Sequence, residues 1–132
     1  FHDFDFDKIS QFEAGDVDRQ LCNKGIVRHR GKIEAVINNA KLVEKIVKNK
    51  GSLAAFFWGY EPRPTKKIEP QIVSTSVESV ALSKDLKKMG WQFVGPTTVY
   101  SFMQAMGMVN DHAAGCVVRN IIECTRKNFK RP

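Results

Sequence analysis

The 132-residue sequence has no run of about 18 apolar residues, so no helical membrane span is expected. It lacks an initiator methionine, and its opening Phe1-His2-Asp3-Phe4-Asp5 is acidic and aromatic, unlike a signal or transit peptide. The chain opens abruptly, as though inside a domain, and is expected to be a portion of a longer one. Cysteines are few and odd in number: Cys22, Cys116 and Cys124, at irregular spacing. That argues against a secreted disulfide framework and for a reducing compartment, cytoplasmic or nuclear. Internal repeats and low-complexity tracts are also missing. What is present is 42% hydrophobic residues, enough to form a core in a chain of single-domain size.

Acidic residues are outnumbered, 14 against 21 basic ones, for a net charge of +7. An excess of that size favours a polyanionic partner, nucleic acid first and an anionic membrane surface second, although many basic proteins bind neither.

Nearly the whole chain reads as helix. Asp5 or Asp7 is placed to cap a short turn through Phe12, and Asp16 a helix through Cys22 that Gly25 closes. Over residues 30–48, Ile33, Val36, Ile37, Ala40, Val43, Ile46 and Val47 recur at three- and four-residue spacing, the clearest amphipathic helix in the sequence. Gly51 stops it. Ser52 caps a short aromatic helix with Phe56, Phe57, Trp58 and Tyr60, too apolar to face water. Residues 61–70, with three prolines and three basic side chains, read as a surface loop. Ser76 begins a helix carrying Val77, Val80, Ala81, Leu82 and Leu86, ended by Gly90. A tight turn then leads into a helix over residues 96–106, which Gly107 breaks. A last helix is expected from about His112.

Three segments carry chemistry. In Gly90-Trp91-Gln92-Phe93-Val94-Gly95-Pro96-Thr97-Thr98, Gly95 lets another molecule approach the backbone, and Pro96 suits the first helical position. Thr97 and Thr98 then offer N–H groups at the positive end of a helix, which binds phosphate without reading bases. The same residues also suit an ordinary helix–turn–helix packing unit. Upstream, Arg28, His29, Arg30 and Lys32 cluster where the long helix begins. Cations there oppose the helix dipole, a cost that makes sense if an anion is expected, though a charge run also suits a solvated face. Third, His112 and Cys116 are four apart and share a face if helical, a spacing that suits two zinc ligands, or a Cys that is merely buried. Asp111 beside them reads as a catalytic carboxylate or as a helix N-cap.

Together these residues resemble the DNA-3-methyladenine glycosylase I family. The likeness lies in VGPTTVYSFMQAMGMVNDHAAGC (residues 94–116), GIVRHRGKI (25–33), FFWGY (56–60), STSVESVALSKDLKKMGWQFVG (74–95) and the opening FHDFDFDKI. It implies an all-α, helix-hairpin-helix DNA glycosylase fold, incomplete at its N-terminus, with residues 1–116 as the helical domain and 117–132 as a basic tail. The tail matches nothing in the family pattern and reads as a solvated or a DNA-grasping extension. The resemblance further implies a monomer acting on double-stranded alkylated DNA. Such an enzyme hydrolyses the N-glycosidic bond of 3-methyladenine in base-excision repair, after flipping the base into an aromatic pocket. Implied DNA contacts are Arg28, His29, Arg30, Lys32, Gly95, Thr97 and Thr98. A structural zinc is implied too, with His112 and Cys116 as two of its four ligands. The family's other two ligands and its base-reading Glu belong to a segment with no match here, so the catalytic residue is unknown and Asp111 only a weak candidate. Weak metal affinity and little or no glycosylase activity are expected of these residues alone.

Overall fold

The computed structural model of the chain describes residues 1–63 and 73–132. All regular structure among them is helical: α1 (Phe6–Ser10), α2 (Ala14–Leu21), α3 (Arg30–Lys50), α4 (Leu53–Trp58), α5 (Val77–Lys88), α6 (Pro96–Ala105) and α7 (Val117–Asn128), after a 3-10 turn at His2–Phe4. Most of the loop expected at 61–70 lies outside the described residues.

Local chemistry sets these boundaries. The Asp5 carboxylate accepts from the N–H groups of Asp7 and Lys8 and starts α1. Helix α2 begins two residues before Asp16, because Asp16 is not its cap. Its carboxylate reaches back from the first turn to the Glu13 N–H at 3.1 Å. His29 and Ser52 cap α3 and α4 through Lys32 N and Ala55 N. Gly51, at φ 79°, ends α3 in a conformation that a side chain would strain.

Helix α3 is the spine. Its Ile33, Ile37 and Ala40 close one core with Ile9, Phe12 and Val17, against α1 and α2. One turn and a half further along, Ile46 enters a second core with Phe56, Leu82, Leu86, Val99, Met103 and Met108. Each such side chain taken from water contributes about 1.5–3 kcal/mol. Helices α5 and α6 pack against each other, and Ile46 joins α3 to both through this core.

The inward face of α5 differs from its apolar pattern. Leu82 and Leu86 are buried, but Val77, Val80 and Ala81 are exposed, and Ser79 and Ser83 take the inward places. Both serines are satisfied there. Ser79 exchanges hydrogen bonds with Ser76, and the Ser83 hydroxyl donates to the Val94 carbonyl at 2.6 Å. A buried hydroxyl with a partner costs little, so two serines hold positions that hydrophobicity alone assigned to valines.

The last helix starts at Val117, not near His112. No side chain of α7 is buried, yet it is tied down. Arg126 bridges Glu61 and the Met108 carbonyl at 3.2 and 2.9 Å, Arg131 binds Glu61 at 2.7 Å, and Phe129 packs on Trp58. The Arg131 guanidinium, then Arg126, hold the Glu61 carboxyl below its ordinary range against the opposing effect of burial.

Candidate nucleic-acid interface

Helix α5 ends in two bonds that reverse the chain: Gly90 N–H to the Lys87 carbonyl and Trp91 N–H to the Leu86 carbonyl, both 3.0 Å, with Gly90 at φ 90°. Five residues later α6 begins. Gly95 is its N-cap, Pro96 its first residue, and no side chain caps it. Thr97 and Thr98 are exposed, and a Cβ built on Gly95 meets nothing within 4 Å. Space in front of a helix N-terminus with uncapped amides is what a phosphate oxygen requires.

The turn between is held from α3. Asn39 donates to the Gln92 carbonyl at 3.0 Å and accepts from the Gln92 N–H at 2.9 Å, so one side-chain amide satisfies both backbone groups of a residue 53 positions away. Asn38 donates to the Gly90 carbonyl at 3.0 Å. Sequence reasoning missed both asparagines. Both fall between the apolar positions of α3, where polar residues are ordinary, so the local pattern carries no signal for them.

The basic cluster sits at the N-terminus of that helix. His29 serves as the N-cap, its Nδ1 accepting from Lys32 N at 3.2 Å, which leaves that nitrogen unprotonated in this arrangement. Arg30 is held by Asp18 at 2.5 Å and Glu34 at 3.7 Å, so part of its charge is already answered. Arg28 and Lys32 are exposed and make no ion pair among the described residues. The cluster and the hairpin meet at Phe93, whose ring lies edge-on to His29 with centroids 6.1 Å apart. The N-cap of α3 thus touches the turn that leads into α6, and Arg28, Lys32, Thr97 and Thr98 are all exposed.

His112 and Cys116 do not share a helix face. Both lie in the non-helical stretch 109–116, His112 exposed and Cys116 partly buried. The reason is competition for the backbone. Asn110 Oδ1 accepts from the His112 N–H at 3.4 Å and sits 2.7 Å from its Nδ1, and Arg119 donates to the His112 carbonyl that a helix would use. The amide hydrogens of Asn110 go instead to Arg119 O and Glu123, at 3.0 and 2.8 Å. No cluster of three or more His, Cys, Asp or Glu residues that could hold a metal forms among the described residues.

Asp111 caps nothing. Its carboxylate accepts from Val73 N at 3.0 Å and from the Tyr100 hydroxyl at 3.1 Å. Burial, then this carboxylate, push the Tyr100 hydroxyl up to about 12. Asp111 therefore fastens the residues before α5 and the buried side of α6 to the loop.

A profile of the methyladenine glycosylase family matches residues 1–120. The chain belongs to the methyladenine glycosylase family. It is 44% identical over 120 residues to DNA-3-methyladenine glycosylase 1 of Escherichia coli strain K12, covering 88% of this chain and 64% of that protein. A Haemophilus influenzae DNA-3-methyladenine glycosylase is 42% identical over 120 residues, covering 88% of this chain and 65% of that one. The chain thus spans just under two thirds of the length of these relatives. Among solved structures, that of 3-methyladenine DNA glycosylase I from Staphylococcus aureus superposes with a TM-score of 0.82 at 36% identity, over 90% of this chain and 65% of that one. The all-helical, helix-hairpin-helix glycosylase fold of this family is the one expected from the sequence.

Proposed function

We propose that these residues are the DNA-backbone-holding part of a base-excision repair glycosylase, one that hydrolyses the N-glycosidic bond of 3-methyladenine in alkylated duplex DNA. The observation that carries this is the hairpin at 90–98, whose turn is clamped by Asn38, Asn39 and Ser83 while the start of α6 is uncapped and open. Clamping removes the ordering cost that a flexible loop would meet on binding, and the open amides face where a phosphate would sit. Family membership supplies the reaction: the similar proteins are named for 3-methyladenine.

Binding and base release separate on this reading. The methylated base is a cation and needs a carboxylate or an aromatic face nearby. A cavity of about 300 Å³ is lined by Leu42, Ile46, Phe56 and Met89 with Asn49, Lys45 and Lys50, two cations and no acid. Asp111 is committed to Tyr100 and Val73. These features favour the second reading for the 132 residues by themselves: DNA binding with little or no glycosylase activity. The test is single-turnover release of 3-methyladenine from methylated duplex by the purified chain, beside duplex binding at several salt concentrations. Salt-sensitive binding without release is expected. Release at the rate of the Escherichia coli relative overturns the separation, and absence of salt-sensitive binding overturns the backbone-holding role.

His112 and Cys116 are proposed as two ligands of a structural zinc. Asn110 supports this: by taking Nδ1 it leaves Nε2 as the ring nitrogen for a metal. A tetrahedral site needs four ligands, so these two alone would hold zinc weakly. The zinc content of the dialysed chain, expected well below one per molecule, checks this. The protein is taken to act as an intracellular monomer, in keeping with its three free thiols.

A further inference from the structure

Phe93 combines three properties that packing does not account for. It is a bulky residue at φ 55°, a left-handed conformation that favours glycine. The residue is 54% exposed, although it carries an aromatic ring. And its position is imposed from both sides, by Asn39 on Gln92 and Ser83 on Val94, so the strain cannot relax by shifting the turn. One edge of the ring touches His29. Gly31 keeps room for this pair: a Cβ there would come within 3.3 Å of the His29 ring and 3.9 Å of the Phe93 ring. The ring thus meets the N-cap of α3, His29, and stands two residues before Gly95, the N-cap of α6. Arg28, Lys32, Thr97 and Thr98, at the starts of the same two helices, are exposed.

We propose that Phe93 is an apolar DNA contact, packing against the deoxyribose of a strand whose flanking phosphates lie at the two helix N-termini. This rests on the backbone-holding reading above and adds to it a residue and the part of the nucleotide it meets. The chemistry follows from the arrangement. Phosphates along one strand are joined by sugars, so an apolar surface fixed between two anion-binding ends meets the sugar, the least polar part of the backbone. Strain at exposed sites persists where the surroundings enforce it, and here the enforced product is an aromatic ring turned outward at the tip of a clamped hairpin.

An apolar contact and a charged one leave different marks on salt dependence. Each phosphate neutralised by a cation contributes about −0.9 to the slope of log affinity against log salt, whereas sugar packing releases no counterions. The experiment measures duplex affinity of the full chain over a salt series for the parent, Phe93→Gly, Phe93→Asn and Lys32→Ala, together with thermal midpoints. Glycine and asparagine both accept the left-handed conformation, so folding survives. The expected result is affinity about tenfold lower for both Phe93 variants, with an unchanged slope and a midpoint equal to or above the parent's. Lys32→Ala lowers the slope by about one. Parent-like affinity in the Phe93 variants overturns the proposal. So does an affinity loss accompanied by a lower midpoint or a shallower slope, which would make the ring a structural prop. Failure of the parent itself to bind with salt sensitivity sinks the backbone-holding reading, and is seen before any variant is compared.

Discussion

The hairpin at 90–95 and the loop at 109–116 are both short non-helical joins fixed by asparagine side chains, but from opposite directions. In the hairpin, Asn38 and Asn39 reach across from α3 and bind the turn's backbone, leaving its outer amides clear. In the loop, Asn110 belongs to the join itself and reaches out to α7, while Arg119 reaches back to the Asn110 and His112 carbonyls. The hairpin is thus organised around an opening, with everything that holds it inside the core-forming helices. The loop is organised around its own closure and depends on a peripheral helix with no buried side chain. A rigid, outward-facing hairpin suits contact with a large ligand. A loop tied to a surface helix presents His112 and Cys116 without companions among the described residues.

The largest effect is expected from cutting the hairpin's tie. Asn39→Ala removes two bonds to Gln92 and should cost about 1–2 kcal/mol in urea unfolding, with a DNA affinity loss of about tenfold. Unchanged affinity would break the link between clamping and binding. The loop's tie is weaker. Glu61→Gln loosens Arg126 and Arg131 and should cost about 1 kcal/mol, leaving hairpin amide exchange unaffected. Glu61 titrates below its ordinary 4.5 in the folded chain, so its contribution is complete above that value and fades as pH falls through the folded one. Acid unfolding of the Gln variant should therefore be less steep.

Smaller differences sharpen the picture of the basic cluster. Lys32→Ala should weaken duplex binding more than Arg30→Ala, because Arg30 is already paired with Asp18 and Glu34. Equal losses would show that those pairs yield to DNA. The smallest effect is spectroscopic. The only two tyrosines, Tyr60 and Tyr100, are pushed up to about 12 by burial and then by Asp85 and Asp111. Ultraviolet titration should show almost no phenolate below about pH 11 while the fold persists. Since the neutral forms are the favoured ones, the stability they add is present below 10 and lost as pH rises towards 12.

Much of this was legible in the sequence because it is local. Periodicity located α3 to within two residues at one end, Ser52 and Ser76 marked two helix starts, and Pro96 marked a third. The less legible features are long-range or competitive. Nothing in the local pattern says that Asn39 binds Gln92 or that Ser83 sits under Val94, since both depend on how α3 and α5 are packed. The start of α7 differs from expectation for a related reason: His112 to Cys116 has helical spacing, but Asn110 Oδ1 takes the His112 N–H and Arg119 takes the His112 carbonyl. Asp111 was read as a cap or a catalytic group, and its tie to Tyr100 spans a turn that no periodicity reveals.

The central claim, that the two helix N-termini around the clamped hairpin hold the DNA backbone, is tested most directly by amide chemical shifts during titration with a short undamaged duplex. The account predicts that Gly31, Lys32, Phe93, Gly95, Thr97 and Thr98 shift together and that added salt reverses the change. Shifts confined to the basic residues of α7, or none at all, would contradict it.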